Sequence, residues 1–175
     1  TPVSISSKIR VGNFLYRDKI DLIPNIIRDN SPPEAALRIA EAFNPNSTLI
    51  PHNRTHGLSH ALMIPESSTH LFSGQVALVQ LGLNPRVIHD SLAMAADFTE
   101  HGFDLSGNSR AAALVELRQA LDDAKDFSRN KKAALAGDHR NYELSYADLA
   151  SLEPVVNGRK PLLVHTNRAG DIRNI

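Results

Sequence analysis

The sequence predicts an α/β fold on a parallel sheet, and three observations carry that prediction. Apolar runs of strand length alternate with helix-forming stretches, the order expected of a sheet with right-handed crossovers. The clearest runs lie at residues 58–64, 76–82 and 162–164, and the last has no alternating polar positions, as a strand covered on both faces does. The last run, Leu162-Leu163-Val164, ends in His165, and polar residues take over abruptly after it. A buried parallel strand delivers a ligand or a base to the rim of an α/β sheet in this way.

The elements follow in order. Residues 1–30 mix strand and helix periods, with Ile9, Val11, Phe14, Leu15, Ile20, Leu22, Ile23, Ile26 and Ile27 in no single pattern, so residues 1–42 are the less defined part of one α/β domain over 1–175. Ser31-Pro32-Pro33-Glu34 supplies an N-cap, prolines for the first turn and an acid three residues after the serine, which predicts a helix over 32–43. Asn44-Pro45-Asn46 ends it, and residues 49–56 read as an approach segment to Gly57. The run 58–64 reads as a strand closed by Pro65, residues 66–75 as a polar loop, and 76–82 as a further strand punctuated by Gly74 and Gly82. Residues 86–90 suit a short strand, and 91–98 have helical composition.

Asn108 or Ser109 caps a helix over 110–127, with Ala113, Leu114, Leu117, Leu121 and Ala124 on one stripe. Residues 129–140 are polar and basic and read as a mobile surface insertion. Ser145-Tyr146-Ala147-Asp148 opens a short helix in capping-box style that runs to 152, before Pro154 and the Asn157-Gly158 turn. The terminal strand then carries His165. The chain stops where a following helix should begin, and an isolated helix shorter than about 12 residues is marginal in water, so the sequence reads as a piece of a longer protein.

Composition narrows the function classes. The 175 residues are 42% hydrophobic, enough for a real core, and Lys plus Arg balances Asp plus Glu at 19 each. A pI near 7.1 gives no electrostatic reason to expect a nucleic-acid partner or an anionic membrane. With no cysteine, disulfides, thiolate catalysis and cysteine-type zinc sites are excluded, while the compartment, cytoplasmic, periplasmic or secreted, stays open. No apolar run approaches the roughly 18 residues of a membrane span. The first residues carry no charged-then-apolar leader, although one could have been removed.

Among chemistry-bearing residues His165 leads, since neutral imidazole at a strand's open end ligates a metal or moves a proton near neutral pH. A hydrogen-bonded structural histidine is the alternative. Asn167, Arg168 and Asp171 follow it, where they could orient a substrate or form a cap and a surface ion pair. Ser73-Gly74-Gln75 joins two expected strands, and its backbone amides and the Gln75 side chain could bind a polar substrate at the rim. A plain connector fits the same spacing. His56 and His60 lie four apart, a spacing that shares a metal only on a helix; on a strand the span is about 13 Å, and Gly57 argues against a helix. His52, His70, His89, His101 and His139 show no converging spacing. No nucleophile elbow or Gly-rich phosphate loop occurs.

Taken together, Gly57-Leu-Ser-His-Ala-Leu-Met-Ile-Pro65, Ser73-Gly-Gln-Val-Ala-Leu-Val-Gln-Leu-Gly82, Ser109-Arg-Ala-Ala-Ala with its helix to Phe127, and Pro161-Leu-Leu-Val-His-Thr-Asn-Arg-Ala-Gly-Asp-Ile172 resemble the imidazolonepropionase-related branch of the amidohydrolase superfamily. The resemblance runs from about residue 43 to the end. It implies a partial (β/α)8 TIM barrel of the metal-dependent hydrolase type, acting on C–N bonds of amides or cyclic amides with a metal-activated water. His165 matches the family's fifth-strand metal ligand, and Gln75, Asn167 and Arg168 are the expected substrate-binding residues. The implied cofactor is a divalent metal, zinc first, with iron or manganese as alternatives. The family's first-strand His-x-His is absent, and Asn167 stands where relatives often carry a second histidine. The piece alone is therefore expected to be inactive and to hold no metal. Its exposed sheet edges could pair copies into a homo-oligomer. The alternatives are a non-catalytic binding or assembly domain on a degenerate barrel, and a metal-free hydrolase with His165 as general base.

Overall fold

Short connections decide how the central strands pair. In the computed structural model, which describes residues 5–11, 14–20, 35–66 and 70–175, β3 (His60–Ile64) is joined to β4 (Phe72–Gln80), and β4 to β5 (Arg86–Phe98), by only a few residues. A parallel crossover needs a dozen residues or more, so both pairs are antiparallel. From β5 to β6 (Leu162–Thr166) the chain passes through α2 (Glu100–Leu105), α3 (Arg110–Ala136) and α4 (Tyr146–Val156), and that pair is parallel. With the hairpin β1 (Ile5–Val11) and β2 (Phe14–Ile20), the six-stranded sheet has the order β2-β1-β3-β4-β5-β6. The expected all-parallel sheet is thus corrected to a mixed one with a single parallel pair among the described strands.

Five further expectations change. Residues 91–98 are not a helix but the second half of β5, where Ala93, Met94, Ala95 and Ala96 are buried; burial on both faces overrides the helical leaning of Ala and Met. The helix expected over 32–43 is, in its described part, a turn and a four-residue 3-10 helix, Ile39–Ala42. Tertiary partners take the backbone groups a helix would use: the Ala36 N–H donates to Asp148 Oδ1 at 2.9 Å, and the Leu37 carbonyl accepts from Gln75 N–H at 2.7 Å. The start of that expected helix lies outside the described residues. The approach segment is α1 (Leu49–Thr55), whose Pro51 falls in the first turn where a missing N–H leaves no bond unmade.

Residues 129–136 are not an insertion but the end of α3, which kinks at Asn130 (φ −112°, ψ 21°) and closes on Gly137 in the left-handed region (φ 81°). Ala134 is buried there, and its carbonyl accepts from the Tyr146 hydroxyl at 3.0 Å. Helix α4 runs past its expected end to Val156 with Pro154 inside it. The caps at Ser109 and Ser145 form as expected, each side chain accepting from the N–H three residues on.

Two apolar layers result. On one face of the sheet Phe72, Met94, Ala96 and Phe98 pack with Ala113, Leu117, Ala124 and Phe127 of α3 and Leu149 and Leu152 of α4. On the other, Val76, Ala93 and Ala95 meet Leu62 and Ile64. After β6 the chain turns into α5 (Ala169–Asn174). No helix among the described residues is long and apolar enough to cross a membrane.

Candidate functional site

The parallel pair sets the site. Ala95 registers with Leu163, and Asp97 with His165, across β5 and β6. Registered residues share a face and residues two apart repeat it, so all four side chains point away from α3 and α4. They line a cavity of about 240 Å³ whose other walls include Leu62, Ile64, Pro65, Glu66 and Ser73. The walls are mostly apolar, and the polar groups gather at the strands' carboxyl ends. His165 Nδ1 stands 3.7 Å from Asp97 Oδ1.

Asp97 is held from three sides. Its N–H donates to the Leu71 carbonyl at 2.9 Å, and its Oδ1 accepts from Thr99 N–H at 2.9 Å. Its own carbonyl meets α2 where Gly102 has no side chain: a Cβ there would lie 1.9 Å from Asp97 O. The edge-to-face contact of Phe98 with Phe103, ring centroids 5.8 Å apart, presses α2 onto the end of β5. Asp97 is therefore a fixed carboxylate beside His165.

The other expected site residues divide. Asn167 and Arg168 follow His165 and converge on Glu100, the first residue of α2: Asn167 Nδ2 donates to Oε2 and Arg168 donates to Oε1, each at 2.7 Å. These contacts, the Asn167 bond first, hold the Glu100 carboxyl at about 2, against an ordinary 4.5. A depressed carboxylate contributes its stabilisation above the ordinary value and loses it as pH falls through the lowered one. The tie between α2 and the loop after β6 should thus loosen as pH drops from about 4.5 to about 2. In an NMR titration, Asn167→Ala is expected to raise the Glu100 midpoint toward 4.5, whereas an unchanged midpoint would mean the bond is not formed in solution.

Gln75 lies on the other face. Ser73 and Gln75 are not on a rim loop but inside β4, where the ladder slips between Phe72 and Gly74. Gly74 has φ 120°, and the extra residue of such a bulge reverses which side chains face which way. Ser73 lines the cavity, while Gln75 registers with Met94 of the helix-side core. The Gln75 side chain accepts from Lys160 Nζ at 3.0 Å and from the Ser91 hydroxyl, and its amide reaches Ser151 of α4 at 3.5 Å. Burial pushes the Lys160 ammonium below the usual lysine range, and the charge of Arg38 adds to it. This polar cluster ties the sheet to α4 and does not line the cavity.

Asp171 is buried in α5, and its Oδ2, like Thr166 Oγ1, makes no hydrogen bond among the described residues. His56 and His60 are not brought together: His56 caps α1, and His60 opens β3 beside the Ser59 hydroxyl.

Sequence reasoning missed Asp97. Its signal was the one that exposed His165, an apolar run, Ala93-Met94-Ala95-Ala96, ending abruptly in a polar residue. The same residues also suit a helix, which hides the signal.

Among the described residues no three His, Asp or Glu side chains converge on one point. His165 and Asp97 are two donors of the right type for a divalent ion, one fewer than the three protein ligands of catalytic zinc sites.

The architecture defines the chain as a mixed α/β protein whose sheet is consistent with part of a barrel. A solved structure described as an amidohydrolase from Thermotoga maritima MSB8 superposes on it with a TM-score of 0.67 at 18% sequence identity, over 82% of this chain and 39% of that one. The likeness is one of fold, and this chain spans about two fifths of that protein's length. No protein-family model matches the sequence, and no curated protein matches it.

Proposed function

We propose that this chain forms the middle of a metal-dependent amidohydrolase barrel, of the imidazolonepropionase-related kind, that hydrolyses the C–N bond of small amides or cyclic amides. The observation that carries the reading is the registered pair Asp97 and His165, at the carboxyl ends of two parallel strands above one cavity. Active sites of barrel enzymes are built at that end. The amidohydrolase fold of the structural neighbour supports the same reading.

In this proposal His165 is one metal ligand, and Asp97 either adds a second or orients the ring. The remaining donors come from other segments of the full-length protein. A divalent ion, zinc, iron or manganese, supplies a Lewis acid and a water acidic enough to attack near neutral pH. The chain's own contribution is positional. Leu62, Ile64 and Leu163 exclude water from the cavity wall, Ser73 offers a hydroxyl, and Arg168 and Asn167, braced by Glu100, lie just beyond the strand end. Gln75 supports the sheet from behind.

The test is hydrolysis of a panel of small amides and cyclic amides by the full-length protein, before and after chelation and metal return. The expected result is turnover that chelation removes and zinc, manganese or iron restores. Turnover indifferent to chelators would overturn the metal reading in favour of His165 as a general base. Absence of both turnover and bound metal would favour a non-catalytic binding domain.

A further inference from the structure

Helix α1 brings together two histidines that the candidate site does not use. His52 lies within α1, and His56, four residues on, is its C-cap, so the two share one helix face. Their ring centroids are 4.7 Å apart with planes at 54°. Two imidazoles bound to one ion through nitrogens at about 2.0–2.1 Å have ring centres on the order of 5 Å apart. The rings are therefore already spaced for a shared ion.

A second observation concerns the proton. His56 Nδ1 lies 2.9 Å from the His52 carbonyl oxygen. A carbonyl only accepts, so this contact places the proton on Nδ1 and leaves the Nε2 lone pair available. Ligating histidines characteristically donate their other ring N–H to a carbonyl or carboxylate in this way. The helix itself is anchored: Ile50 is buried, Arg54 donates to the Gly82 carbonyl at 3.0 Å, and Asn53 Nδ2 donates to the Leu49 carbonyl at 2.9 Å. Both histidines are exposed, so an ion reaches them without any opening of the fold.

We propose that His52 and His56, juxtaposed on α1, form a surface chelate for a divalent transition-metal ion, distinct from the cavity at His165. Two neutral imidazoles and no carboxylate select copper(II), nickel(II) or zinc over magnesium or calcium, with copper(II) held most tightly. Water or a donor from a partner molecule fills the remaining positions.

The experiment titrates Ni2+ into the chain in a His165→Ala background, which removes the cavity histidine, and follows binding by calorimetry. The expected result is that His52→Ala and His56→Ala each weaken the site by at least about tenfold, and the double variant removes it. His60→Ala should bind like the parent. With Cu2+, the electron paramagnetic resonance spectrum should show coupling to two imidazole nitrogens. Binding unchanged in either single variant, or coupling to one nitrogen alone, would overturn the chelate. Both side chains are exposed, and a circular dichroism spectrum matching the parent shows that each variant is folded.

Discussion

Gly102→Ala is expected to lower stability by about 3 kcal/mol, a large effect for one methyl group. The added Cβ would lie 1.9 Å from the Asp97 carbonyl oxygen and 2.7 Å from its carbonyl carbon. Both are backbone atoms of β5, so no side chain can swing aside. Alanine is better than glycine in a helix by up to about 1 kcal/mol, which offsets only part of the clash. The same displacement would shift Asp97 relative to His165, so the substitution acts on fold and site together. Urea unfolding measures the effect. A change within about 0.5 kcal/mol would mean that α2 does not pack against the end of β5 as described.

Phe127→Ala is expected to cost about 4 kcal/mol. The ring is 1% exposed, stacks on Tyr146 at 5.6 Å and meets Tyr142 edge-on at 6.0 Å. It lies where α3 and α4 close over the sheet, so the cavity left by alanine is walled by two other rings and does not readily collapse. Phe127→Leu keeps much of the volume and should lose less than half as much. Val115→Ala on the same helix, at a position 64% exposed, should stay within about 0.5 kcal/mol. Equal losses at 115 and 127 would contradict the assigned core face of α3.

The legible part of this fold was the part with strong local signals. The caps at Ser109 and Ser145, the stripe along α3 and the apolar run before His165 each state their structure within a few residues. Strand direction has no such signal. Apolar runs such as 76–82 read alike in parallel and antiparallel sheets, and the short links from β3 to β4 and from β4 to β5 reverse the chain. The start of β4 was hidden for another reason: Gly74 looked like loop punctuation but marks a bulge within a strand. Residues 35–43 resemble a helix by their cap and composition, but their backbone partners, Gln75 and Asp148, are distant in sequence.

The candidate site was legible to a similar degree. His165 announces itself by contrast with Leu162-Leu163-Val164, but its partner is 68 positions away and is identified only by strand register. Gln75 belongs to the same neighbourhood in sequence as Ser73, yet one residue of slip places it on the opposite face. The pairing of His52 with His56 is not legible in the sequence, because Pro51 and Gly57 disguise the short helix that joins them.

The central claim is that His165 and Asp97 together form part of a divalent-metal site at the open end of the β5 and β6 pair. Anomalous diffraction from crystals of the full-length protein equilibrated with Zn2+ tests it most directly. The claim predicts a peak at about 2.1 Å from a His165 ring nitrogen, on the cavity side and beside Asp97. A map with no peak at His165, whether or not zinc is bound elsewhere, would contradict it.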